Sequence, residues 1–241
     1  VREPAGEGAW ARLRRSVPHR PSGLKRLASM VASLGDLGWA ASADTKAPRS
    51  ADGEPLPWYT YPAILWLGPR LEPSAAVFEY GAGNSTLWYA ARCASVLAVD
   101  HDAAWVATLR ARLPANVEVL HRPTDAGDAE AAANDPYVAA LDDPGAYDVV
   151  VIDGRARVSC ARRALPGLRD TGIAILDNSD RPSLAPIHAL AAELGMARID
   201  FAGPVPGSGR LSTTTVFGRD LSRWLLAAPP LPLLGYAGTD G

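Results

Sequence analysis

The chain has 241 residues, a formal net charge of −2, and a composition of 48% hydrophobic and 21% charged residues. This is the balance of one globular domain with a proper core and some extra chain at each end. It argues against a general nucleic-acid or membrane-surface footprint, which needs a basic excess, and no apolar run is long enough to span a bilayer. The two cysteines, Cys93 and Cys160, show neither C-x-x-C nor zinc spacing. Reduced, packed thiols in a cytoplasmic protein are therefore expected, and the start does not read as a signal peptide.

Residues 1–56 read as an N-terminal arm with a helical segment. Arg12, Arg14, Arg15, Arg20, Lys25 and Arg26 form a basic run with no acid among them. It suits a solvated arm or a site for an acidic partner. Leu24, Leu27, Val31 and Leu34 share one face of a helix expected over Leu24 to Leu37, and Ser42 to Pro55 reads as a small, polar, proline-marked linker. Next, Pro57 to Trp66 holds four aromatics in ten residues and runs into a short helix, Ala63 to Leu67. These aromatics, Trp58, Tyr59 and Tyr61 among them, either pack over a sheet edge or wall a ligand pocket.

From there strands and helices alternate. Strands are expected at Ala75 to Phe78, Ser95 to Val99, Asn116 to Leu120, Tyr147 to Ile152 and Gly172 to Leu176. Helices are expected after Gly83, from Asp102 to Leu113, over Thr124 to Leu141 with a break at Pro136, over Ser159 to Leu168, and over Pro182 to Leu194. Such alternation builds a doubly wound, mostly parallel α/β sheet. Two last strands, Met196 to Phe201 and Leu211 to Phe217, have no helix between them, so one must run antiparallel. The tail, 220–241, has one apolar turn and then proline-rich coil.

The stretch Val77-Phe-Glu-Tyr-Gly-Ala-Gly-Asn-Ser-Thr86 joins the first of these strands to its helix through a glycine turn. Gly81 and Gly83 permit the sharp turn, and Asn84, Ser85 or Thr86 can cap the helix. Such a turn offers backbone N–H groups to a ligand at the strand's carboxyl end. A dinucleotide fingerprint would place a third glycine where Thr86 stands, and a Walker loop would need a lysine. Glu79-x-Gly81-x-Gly83 instead resembles motif I of the class I S-adenosylmethionine-dependent methyltransferases; taken alone, it also fits a structural turn in another α/β domain. Asp100 ends the next strand about twenty residues on, where a carboxylate can accept both ribose hydroxyls, and Asp102 suits the start of the following helix.

The resemblance extends over most of the chain, with 57–219 as the methyltransferase domain. It is carried by Trp-x-x-Tyr-Pro-Ala, Glu-x-Gly-x-Gly-Asn-Ser-Thr, Asp-His-Asp-x-x-Trp and Asp-Gly-Arg-x-Arg. It implies a Rossmann-like, seven-stranded sheet with an inserted antiparallel last strand. It also implies S-adenosylmethionine as cofactor, held by Glu79, Gly81, Gly83, Asn84, Ser85, Asp100, His101 and Asp153.

Four strand ends carry carboxylates or glycines: Glu79 with the turn, Asp100-His101, Asp153 to Arg157, and Asp177 to Arg181. Asp153 with Asp177-Asn178 resembles the set that binds a divalent cation in catechol-type O-methyltransferases. This set would carry the catalysis, with Mg²⁺ a candidate ion. Arg155 and Arg157 oppose a dication there; they read equally as anchors for a substrate carboxylate or phosphate, or as partners of Asp177 and Asp180. His121 reads as a turn residue and His188 as a mid-helix histidine, a base only if its helix faces the pocket. The expected function is methylation of a small hydroxylated or amine-bearing molecule, with oxygen favoured as the acceptor atom, rather than of a nucleic acid or a membrane component, by a monomer or a homodimer. The rival is a catalytically silent domain that binds a partner through its aromatics and basic arm.

Overall fold

The computed structural model describes residues 21–127, 130–132 and 134–225. Arg12, Arg14, Arg15, His19, Arg20 and the proline-rich tail lie outside them. The elements are α1 (Pro21–Asp36), α2 (Trp39–Thr45), α3 (Tyr61–Leu67), β1 (Ala76–Tyr80), α4 (Asn84–Ala90), β2 (Ser95–Asp100) and α5 (Ala103–Arg110), then β3 (Val117–His121), β4 (Val149–Ile152), α6 (Arg157–Ala164), β5 (Ile173–Leu176), α7 (Ala185–Glu193), β6 (Ala197–Pro204), β7 (Leu211–Gly218) and α8 (Ser222–Leu225).

The seven strands form one sheet in the order β3-β2-β1-β4-β5-β7-β6. The first five are parallel, and β7 inserts antiparallel to both β5 and β6. Central strands covered on both faces read as continuous apolar runs, and β4 (Val-Val-Val-Ile) is buried at every position. Side chains alternate across the sheet. Phe78, Tyr80, Val150 and Ile152 pack on one face with α6 and α7. Val77, Val149, Val151 and Ile175 pack on the other with Tyr59, Tyr61, Tyr89 and Trp224. Glu79 alternates with Phe78 and Tyr80, which directs its carboxyl to that second face.

The register decides where the strand ends fall. Tyr80 lies beside both Val99 and Ile152, and Ile152 lies beside Leu176. The next residues, Gly81, Asp100, Asp153 and Asp177, therefore emerge at one level along the carboxyl edge. Strand order reverses between β1 and β4, which opens a crevice there.

Two expectations are corrected. The helix over Thr124 to Leu141 does not form among the described residues: the chain is coil there, with a single 3-10 turn at Val138–Ala140. Local side-chain bonds compete with the helix, since Asp135 accepts from Tyr137 N–H and Val138 N–H around Pro136. The expected linker from Ser42 to Pro55 is packed structure. Ser42 is buried and bonds Gly38 and Arg49 carbonyls, and Trp39 Nε1 donates to Ser208 O in the β6–β7 loop.

Candidate functional site

The glycine turn after β1 and the loop after β4 meet face to face. Gly81 has φ +93°, and a Cβ there would lie 2.9 Å from the Gly154 backbone. A Cβ on Gly154 would in turn collide with the Tyr137 hydroxyl. A Cβ on Gly83 would meet nothing, so this backbone faces open space. Gly83, not Asn84, Ser85 or Thr86, is the N-cap of α4; its N–H donates to Thr86 Oγ1 at 2.8 Å, and Thr86 Oγ1 donates to Glu79.

Glu79 is fully buried, and its Oε1 has no hydrogen-bond partner among the described residues. Burial pushes its pKa up to about 8, against the pull of Ser85 and Thr86. It lies beneath the glycine turn and does not line a cavity wall. Asp100 sets the second side of the crevice. Its Oδ2 accepts from Ala82 N–H at 3.1 Å and its Oδ1 from Asp102 N–H at 2.9 Å, with His101 Nδ1 at 3.2 Å. Asp102 caps α5 as expected, and Trp105 on that helix donates Nε1–H to Ala82 O.

These groups border a cavity of about 490 Å³, lined by Gly81 to Ser85, Asp100, His101, Trp105, Asp153 to Arg155 and, from the N-terminal side, Lys46 to Pro48. A second cavity of about 930 Å³ adjoins it, bounded by Asp177, Asn178 and the 205–210 loop. Trp58, Asp153 and Arg157 line both and so form the junction. Trp58 keeps 51% of its surface and donates Nε1–H to Pro206 O.

Tyr59 and Tyr61, expected as substrate contacts, are core residues instead. Tyr59 is fully buried, 3.2 Å from the Tyr89 hydroxyl, and Tyr61 opens α3 beneath the sheet. The aromatic run enters a helix whose inner face needs filling, and of that run Trp58, ahead of the helix, lines these two cavities. His188 is likewise removed from the site. Its Nε2 bonds Ser179 O and its ring packs edge-on against Phe217. His121 sits at the end of β3 against His101 O.

Arg157, at the start of α6, is 6% exposed. Its Nε donates to Gly154 O, its Nη1 to Asp177 O at 2.6 Å and Asn178 Oδ1 at 3.4 Å, and its Nη2 to Asp153 O and Oδ1 at 2.7 and 3.1 Å. All five guanidinium N–H groups are thus taken by the protein, and none is left for a substrate. Arg155 is exposed at the rim of the first cavity, 3.4 Å from His101 Nε2. Burial raises the pKa of Asp153 against Arg157 and Arg181; burial and then the charge of Asp153 raise Asp177 to about 8. Thr214 donates to Asp177 Oδ1 at 2.8 Å.

The residues do not fit a divalent cation. Arg157 stands among the three expected ligands, and Asn178 Oδ1 also accepts from Arg181 at 2.6 Å. Among the described residues no group of three or more His, Cys, Asp or Glu side chains is placed to hold a metal. They do fit S-adenosylmethionine: an open glycine cradle beside a strand-end carboxylate is what a methionine tail and a ribose require.

Sequence reasoning missed Lys46, Pro48 and Trp105, and also the 205–210 loop. Two of these carried a signal: the loop in its run of Gly, Pro and Ser between two strands, and Trp105 in the stretch Asp-His-Asp-x-x-Trp.

No protein-family model and no curated protein sequence matches this chain. Solved structures do. Precorrin-6Y C5,15-methyltransferase from Geobacter metallireducens aligns at 14% identity with a TM-score of 0.50, covering 66% of this chain and 87% of that one. A Klebsiella pneumoniae protein, assigned provisionally as an O-methyltransferase, aligns at 17% identity and a TM-score of 0.50, covering 86% and 94%. The O-methyltransferase TomG from Streptomyces achromogenes, solved with S-adenosylmethionine, aligns at 18% identity and 0.47, covering 76% and 88%. The chain has the Rossmann-like fold of the class I S-adenosylmethionine-dependent methyltransferases. Among the described residues no helix is long and apolar enough to cross a membrane.

Proposed function

We propose that the protein is an S-adenosylmethionine-dependent methyltransferase that methylates a small molecule on a hydroxyl oxygen. The observation that carries this is the junction. A cavity built on the glycine turn and Asp100 adjoins a second cavity, and Trp58, Asp153 and Arg157 belong to both.

Gly81 to Ser85 would cradle the methionine end of the cofactor, Asp100 would accept the ribose hydroxyls, and His101 and Trp105 would border the adenine. Bound there, S-adenosylmethionine would supply an activated methyl group with a neutral thioether as the leaving group. The protein's task is to align the acceptor and take its proton. Asp153 stands at the junction with Oδ1 held by Arg157. A carboxylate with a raised pKa is a better-matched proton acceptor near neutrality than an ordinary one. Trp58 offers a flat apolar wall, and Asp177, Asn178 and the rim arginine Arg155 supply polar contacts to the acceptor. Arg157 acts as a positioning residue.

The size of the second cavity suits a metabolite. The weak net charge, −2, goes against a nucleic-acid acceptor. A cytoplasmic location goes with this reading, and both cysteines are free and buried. Calorimetry with S-adenosylmethionine and its demethylated product is the test: both should bind, and NAD should not. Binding of NAD alone would move the chain to the dehydrogenases.

A further inference from the structure

The two aspartates and the asparagine that the sequence suggested for a divalent cation are brought together here around a guanidinium. The Arg157 side chain lies between the ends of β4 and β5 and bonds all three candidate ligands, Asp153 and Asn178 through their side chains and Asp177 through its carbonyl. The backbone around it is bent to allow this. Ala156, just before Arg157, has φ +50°, and so does Asn178. A left-handed alanine is unfavourable and persists only where its surroundings over-determine it. Ala156 is fully buried, and its N–H donates to Gly127 O at 2.7 Å. The loop is therefore held in the one conformation that turns Arg157 back over the strand ends.

Asp153 and Asp177 follow directly on the paired residues Ile152 and Leu176 of adjacent strands, and two carboxylates so placed carry a cost in free energy unless a positive charge stands by. Arg157 supplies it from within the chain. A planar guanidinium with five fixed donors also orients what it touches, which a loosely hydrated cation would not. We infer that Arg157 is a built-in cation that takes the place of a divalent metal between Asp153, Asp177 and Asn178, so that the site positions its proton acceptor without metal. This rests on the methyltransferase reading above but is tested apart from it.

Mn²⁺ is the probe, followed by electron paramagnetic resonance on the full chain. The wild type should show no saturable Mn²⁺ site. Arg157→Ala should open one, with at least about a tenfold gain in Mn²⁺ affinity from replacing a fixed positive charge by open carboxylates. Asp153→Asn in that background should close it again, and Arg157→Lys, which keeps the charge, should never open it. A merely structural arginine would lower stability on removal without creating a metal site. A saturable site in the wild type that Asp177→Asn removes overturns the inference, as does a folded Arg157→Ala that gains none. Should Arg157→Ala fail to fold, wild-type melting decides. No shift with Mg²⁺ or chelator supports the inference, and a Mg²⁺-dependent rise that is lost in Asp153→Asn overturns it. Failure of the wild type to bind S-adenosylmethionine would instead sink the methyltransferase reading and leave these outcomes untouched.

Discussion

Gly81 and Gly154 approach across the β1–β4 crevice so closely that a single Cβ on Gly81 would lie 2.9 Å from the backbone of Gly154. Gly81 also has φ +93°, where an L side chain is strained. Gly81→Ala should therefore cost about 1–3 kcal/mol of stability from strain and forced displacement. Because the displaced loops line the cofactor cavity, S-adenosylmethionine affinity should fall as well. Urea unfolding and calorimetry would measure the two effects. An alanine variant with wild-type values for both would show that the contact yields.

Asp100→Asn should weaken S-adenosylmethionine binding by about 1–3 kcal/mol, the value of hydrogen bonds to a charged group. The amide keeps one acceptor oxygen, so part of the bonding to Ala82 and Asp102 survives. Asp100→Ala removes both bonds and should lose more. Titration calorimetry on the two variants separates the ribose contact from the support of the turn.

Glu79 makes stability depend on pH. Its pKa in the folded protein is raised to about 8 from the ordinary 4.5, chiefly by burial. The folded state then holds a proton that the unfolded state has lost between those two values. Stability should be greatest below the lower value and fall as pH rises towards the upper one. Asp177, raised to about 8, acts in the same direction. Glu79→Gln, which cannot ionise, should flatten part of this slope, on the order of a few kcal/mol across the window. Thermal melts of the unliganded protein from pH 5 to pH 8.5 would show it, and equal slopes in the two proteins would refute it.

Trp58 and Tyr59 are neighbours with opposite fates. Tyr59→Ala should cost about 3–5 kcal/mol, as for any large aromatic lost from a core. Trp58→Ala gives up one hydrogen bond and a half-exposed ring, so its cost should stay near 1 kcal/mol. Its effect should fall on the acceptor, as a raised KM, with S-adenosylmethionine affinity nearly unchanged. A Trp58→Ala enzyme with unaltered acceptor kinetics would remove Trp58 from the site.

Much of this molecule was legible in its residues. Apolar runs at Val149–Ile152 and Ile173–Leu176, the glycine turn and the capping Asp102 are local signals: each depends on side chains a few positions apart. They were enough to place five parallel strands, the antiparallel pair, and Asp100, Asp153 and Asp177 at the carboxyl ends of their strands. The stretch around Asp135 misled because alanines favour a helix there, while the Asp135 carboxylate binds the backbone into a turn and Pro136 lacks the N–H a helix would use.

What the sequence could not determine depended on distance through the fold. Whether Tyr59 or Trp58 faced a ligand was set by which side of α3 and the sheet needed filling. Lys46 and Pro48 entered the site because Asn84 Nδ2 donates to Pro48 O and Trp39, just before them, bonds Ser208 far along the chain. Arg157 is the clearest case. In the sequence it is a charge beside a possible metal or a substrate anchor. Its five hydrogen bonds exist because a left-handed Ala156 turns it back over two strand ends that only the sheet brings together. The residues fixed which groups were available, and the long-range packing decided which of them were already satisfied.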